Sequence, residues 1–131
     1  MVIKNSSEMV ATQDPQLAGV VLGAGAYDFF RWYPTPLRGI DANIEHEAGT
    51  SAEAFRARSA IYHVERIQAP ILLLHGAQDE RVSVRQAEAF AEKLQANGIA
   101  VKVKMFPNAT HRIPIDDQYH EIFPFLEASR R

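Results

Sequence analysis

The run Ala69-Pro70-Ile71-Leu72-Leu73-Leu74-His75-Gly76-Ala77-Gln78-Asp79-Glu80-Arg81-Val82 decides how this chain folds. Ile71 to Leu74 are all apolar and leave no face for water. Such a run suits a parallel strand covered on both sides, predicted here over 70–75. A turn follows and ends in a carboxylate, Asp79.

The pattern downstream is helical. Ser83 with Gln86 three residues on reads as a capping box. Val84, Ala87, Phe90, Ala91 and Leu94 share one helical face, and Asn97-Gly98 supplies a left-handed stop. Val101, Val103 and Met105 then alternate with Lys102 and Lys104, which predicts a strand over 100–106 with one wetter face. It runs into Met105-Phe106-Pro107-Asn108-Ala109-Thr110-His111. A final helix is predicted over roughly 116–129, opened by Asp116-Asp117. Ile122, Phe123 and Leu126 are expected inward, and Pro124 removes one backbone bond.

Upstream, Leu17-Ala18-Gly19-Val20-Val21-Leu22-Gly23 is a second apolar run of the parallel-strand type, followed by the loop Ala24-Gly25-Ala26-Tyr27-Asp28. Residues 2–13 are expected to form a helix with Val2, Ile3, Met9 and Val10 as its apolar positions, broken by Asp14-Pro15. Pro34 and Pro36 forbid one long helix after the loop. Ser51-Ala52-Glu53-Ala54 opens a short one reaching about Arg58.

Strands alternating with helical patterns argue an α/β fold, with a parallel sheet of about three strands (17–23, 70–75, 100–106) and flanking helices. A chain of 131 residues fits one domain, here spanning 1–131. Functional loops of such sheets lie beyond the carboxyl ends of the strands. Asp28, Asp79 and His111 each follow a strand, so they are expected at one rim.

Composition narrows the classes. Apolar residues are 47% and charged residues 23% of the chain, as in ordinary globular proteins. The net charge of −2 gives no nucleic-acid footprint. There is no cysteine, which removes disulfides, thiolate metal sites and a cysteine nucleophile, and is consistent with a cytoplasmic protein. No stretch approaches the ~18 apolar residues of a spanning helix, and the first residues lack the apolar core of a secretion signal.

A histidine exchanges protons near neutral pH. A carboxylate on one ring nitrogen fixes its tautomer and stabilises the charged ring. Asp79 followed by His111 is therefore the acid–base part of a Ser…Asp…His order. The nucleophile is missing, because the sequence has no Gly-x-Ser-x-Gly. Ser6 and Ser7 come closest in position, yet they lack flanking glycines and no strand is read before them. Ser83 reads as a helix cap, and Ser59 belongs to the connection before a strand. His75 is expected to bond locally. His46, His63 and His120 read as surface or packing residues. His46 between Glu45 and Glu47 is a weak metal pattern, because adjacent side chains on a helix diverge. No metal is expected.

Several pieces together resemble the C-terminal part of α/β-hydrolases, specifically the prolyl oligopeptidase family of serine peptidases. They are Ala57-Arg58-Ser59-Ala60-Ile61-Tyr62-His63-Val64, the run 69–82 quoted above, Gln86-Ala87-Glu88-Ala89-Phe90, Leu94-Gln95-Ala96-Asn97-Gly98-Ile99-Ala100-Val101 and Phe106-Pro107-Asn108-Ala109-Thr110-His111. The resemblance implies a partial α/β-hydrolase fold and a cofactor-free serine hydrolase acting on peptide or ester bonds. Asp79 would carry over as the triad acid and His111 as the general base. Residues 17–28 look like the strand after the nucleophile helix, and 2–13 like that helix's tail. Two departures stand out: Ala109-Thr110 precede the histidine where the family usually has glycine, and Arg112-Ile113-Pro114 follow it.

The expectation is therefore a C-terminal fragment lacking the nucleophile-bearing half, inactive by itself. The rival expectation is a non-catalytic binding or assembly module. Leu17–Gly23 would then be an exposed apolar sheet edge that pairs with a second copy or an N-terminal half. No nucleic-acid or membrane partner is expected. A phosphate-binding α/β domain is disfavoured, since no glycine-rich phosphate loop follows a strand.

Overall fold

In the computed structural model, described over residues 2–3, 18–33, 41–42, 45, 49 and 51–129, the centre is an open parallel sheet. Its strands are β1 (Val2–Ile3), β2 (Val20–Gly23), β3 (Ile71–Gly76) and β4 (Val101–Phe106), in that spatial order. The helices are α1 (Phe29–Trp32), α2 (Ala52–Arg58), α3 (Arg85–Ala96) and α4 (Ile115–Ser129), with 3-10 turns at Ala60–Tyr62 and Val64–Arg66.

The sheet has two buried faces, as the unbroken apolar run requires. Side chains alternate across a strand. Val20, Leu22, Ile71 and Leu73 pack on one side with Ala87, Phe90, Ala91 and Leu94 of α3. Val21, Leu72 and Leu74 pack on the other with Ile113, Ile122, Phe125 and Leu126. Each such leucine or isoleucine contributes about 1.5–3 kcal/mol by leaving water. The alternation in β4 is also as expected: Val101, Val103 and Met105 join the α3 face, while Lys102 and Lys104 both reach Glu121 of α4. Gly98, with φ of +76°, stops the chain after α3 in the left-handed region.

Five expectations need correction. Val2 and Ile3 form a short strand parallel to β2, paired with Val21 and Leu22, and so are not the start of a helix. The rest of the expected 2–13 helix lies outside the described residues, as does His46. The same strand puts regular structure ahead of Ser6 and Ser7, where none was read, and it removes β2 from the sheet edge. Phe123 does not face inward; it is 63% exposed. The apolar face of α4 runs through Ile122, Phe125 and Leu126 instead, because 122, 125 and 126 share one side of a helix. Finally, Gln86 is no capping-box partner. Its side chain is buried and crosses to the loop after β2.

Candidate functional site

Register brings the two key loops together. Gly76 at the end of β3 lies level with Phe106 at the end of β4. Beyond them the loops stay joined: the N–H of Ala77 donates to Phe106 O, the N–H of Gln78 donates to Ala109 O, each at 3.0 Å, and the Gln78 amide donates to Pro107 O. Gly76 makes this approach possible. A Cβ there would collide with the backbone oxygens of Thr110 and Ala109, which no side chain tolerates. The missing side chain lets the second loop lie directly on the strand end.

Asp79 occupies the turn after β3 with its side chain wholly buried. Its Oδ1 accepts from the backbone N–H groups of Arg81 and Val82, at 2.8 and 2.9 Å. Its Oδ2 faces His111 Nδ1 at 2.8 Å. A carboxylate only accepts, so this nitrogen carries the ring proton and Nε2 is left as the basic atom. The His111 side chain is 31% exposed, and among the described residues no hydrogen bond engages Nε2. The ring opens on a cavity of about 200 Å³ lined also by Gln78, Glu80, Arg81, Thr110 and Arg112. The arrangement can accept a proton at Nε2 and steady the resulting charge through Asp79.

The third rim residue, Asp28, does not join this pair. Its Oδ1 caps α1 by accepting from Phe30 N–H. Sequence reading missed what holds its loop. Gln86 Oε1 accepts from the N–H groups of Tyr27 and Asp28, and its Nε2 donates to Asp28 O. The signal was a glutamine falling beside Ala87 and Phe90 on the apolar face of α3. Trp32, also missed, donates its indole N–H to Arg81 O within the Asp79 turn.

His75 bonds locally, as read: its ring Nε2 faces Val82 O at 2.7 Å. It also stands 3.5 Å from Asp79 Oδ2, a proximity not read from the sequence. Burial pushes its pKa below the ordinary histidine value, against the opposing pull of its Val82 bond and of Asp79. His63 faces Arg56 O, and His120 is exposed on α4. Described serines all have structural roles. Ser51 caps α2. Ser59 accepts from Phe29 N–H and donates to Phe55 O. Ser83 accepts from Arg85 N–H, and Ser129 donates to Phe125 O. Among the described residues no group of three His, Cys, Asp or Glu is placed to hold a metal, and no helix is long and apolar enough to cross a membrane.

A parallel sheet packed by helices on both faces, with a carboxylate and an imidazole joined beyond adjacent strands, has the layout of an α/β-hydrolase. The comparison with known families agrees: the model of the prolyl oligopeptidase family matches residues 6–129, and the chain belongs to that family of serine peptidases. A curated relative, the uncharacterised peptidase YuxL of Bacillus subtilis, is 33% identical over 73 residues, 56% of this chain and 11% of that protein. Acylamino-acid-releasing enzyme 2 of Oryza sativa is 27% identical over 118 residues, 88% of this chain and 15% of its own length. Among solved structures, the acylaminoacyl peptidase of Pyrococcus horikoshii superposes with a TM-score of 0.82 at 20% identity, covering 96% of this chain and 23% of that one. That likeness concerns the fold. The chain thus spans between about a tenth and a quarter of the length of these proteins.

Proposed function

We propose that this chain is the C-terminal portion of a serine hydrolase domain, a single packed unit that supplies Asp79 as the triad acid and His111 as the general base. The observation that carries this reading is the 2.8 Å contact between His111 Nδ1 and Asp79 Oδ2, with the carboxylate's other oxygen held by two backbone N–H groups. In that role Nε2 takes the proton of a serine hydroxyl as it attacks a carbonyl carbon. It then returns the proton to the leaving amine or alcohol, and Asp79 stabilises the imidazolium in between. The substrate is a peptide or ester, following the family. The reaction needs no cofactor.

Neither a Gly-x-Ser-x-Gly turn nor oxyanion donors are assigned to this sequence, so the chain by itself is expected to be inactive. Incubation with a serine-directed fluorophosphonate probe, read by mass spectrometry, tests this. No stoichiometric label is expected. Label at any serine overturns it, and Ser6 and Ser7, which follow β1, are the first to check. The assembly alternative has less support. Among the described residues, β1 covers part of β2, and the outer strand β4 carries Lys102 and Lys104, charges that discourage edge pairing. Light scattering separates the two: a stable dimer favours assembly, a monomer disfavours it.

A further inference from the structure

Strand β3 ends in a side chain that its neighbours do not explain. Ile71, Leu72, Leu73 and Leu74 are apolar and buried, and the next position holds an imidazole, His75, that is 0% exposed. The ring's Nε2 faces Val82 O at 2.7 Å. A carbonyl oxygen only accepts, so Nε2 carries the proton and Nδ1 is a bare acceptor. That Nδ1 is buried with no partner among the described residues. An unsatisfied buried acceptor weakens a fold, and a leucine here would avoid it. What an apolar residue does not offer is the second contact of Nε2, 3.5 Å from Asp79 Oδ2, the oxygen that receives His111.

We propose that His75 is a positioning residue for the Asp79–His111 pair, its neutral ring tying Val82 to the strand end and laying an N–H dipole beside the carboxylate oxygen that faces His111. The inference rests on reading that pair as acid and base. Val82 contributes twice: its N–H holds Asp79 Oδ1 and its carbonyl accepts from His75. The turn is thereby clamped from the loop side and from beneath, and the carboxylate cannot rotate away from His111. Neutrality is part of the design. A protonated His75 would compete with His111 for Oδ2. Burial opposes that charge, and the titratable groups acting on the ring are Asp79 and His111.

The test uses the full chain with ¹⁵N-labelled histidine side chains, at a pH of about 8, above the ordinary histidine range. Wild type is expected to hold His111 with Nδ1 protonated, and Asp79→Asn to lose that preference. Identical His111 tautomers in these two chains sink the acid–base reading itself, whatever His75 does. With the pair established, His75→Phe keeps an aromatic ring and removes the donor. The His111 Nδ1 proton is then expected to exchange with water about tenfold faster, the effect of losing one hydrogen bond near a charge. His75→Gln, which retains a side-chain N–H, is expected to restore most of the protection. Unchanged exchange in folded His75→Phe overturns the proposal. If that variant does not fold, wild type decides: His75 is expected to stay neutral and Nε2-protonated as the pH passes through about 6.5. An Nδ1-protonated or charged His75 there overturns it.

Discussion

Gly76 stands where two backbone stretches nearly touch, and that single residue helps set the distance between Asp79 and His111. Gly76→Ala would drive its Cβ into the carbonyl oxygens of Ala109 and Thr110. Backbone atoms cannot rotate aside as a flexible side chain does. The expected loss of stability is about 1–3 kcal/mol, the usual scale of overpacking. The His111 loop is also expected to lift, breaking the contact with Asp79. Denaturant unfolding checks the first effect, and histidine resonances check the second. At this scale the sequence was informative for residue types with narrow uses. Asp79 and His111 were legible because each ends a loop after a strand. The proximity of His75 to Asp79 was not, because spacing through a turn does not fix the turn's curl.

Among the elements, α3 and α4 show where periodicity suffices and where it does not. The apolar face of α3 was legible from Ala87, Phe90, Ala91 and Leu94. Gln86 was misassigned because a Ser-x-x-Gln pattern satisfies the capping rule locally, while the loop of Tyr27 and Asp28 offers it three buried partners instead. Gln86→Leu strands those backbone groups and is expected to destabilise the chain by about 2–4 kcal/mol, since each unsatisfied buried group costs about 1–3. A drop smaller than that of an exposed substitution would contradict the clamp. In α4, adjacent phenylalanine and isoleucine positions left the face ambiguous by one residue. Ile122, 1% exposed, is expected to cost about 2–4 kcal/mol on truncation to alanine. Phe123→Ser on the outer side is expected to shift stability by about 0.5 kcal/mol at most. Paired thermal melts of the two variants decide which side faces the core.

For the whole molecule, the three longer parallel strands were legible because double-sided burial leaves an apolar run that little else produces. β1 was not, since Val2 and Ile3 alone carry no period. The absence of a Gly-x-Ser-x-Gly pattern was equally plain, because it is read from the sequence directly. One global property follows from the buried imidazole. Burial holds the folded-state pKa of His75 below its value in the unfolded chain, about 6.5. Protonation therefore favours unfolding. The stabilisation is present above that value and is lost as the pH falls through it toward the folded-state pKa. The denaturant midpoint is expected to fall between about pH 8 and pH 5, and to fall less in His75→Phe. An equal fall in both chains contradicts the assignment. The most direct measurement of the central claim is the imidazole proton spectrum of the 131-residue chain. A His111 Nδ1 proton that is visible, protected from water and lost in Asp79→Asn is the expected result. A His111 ring protonated at Nε2, with a signal indifferent to Asp79→Asn, would contradict the account.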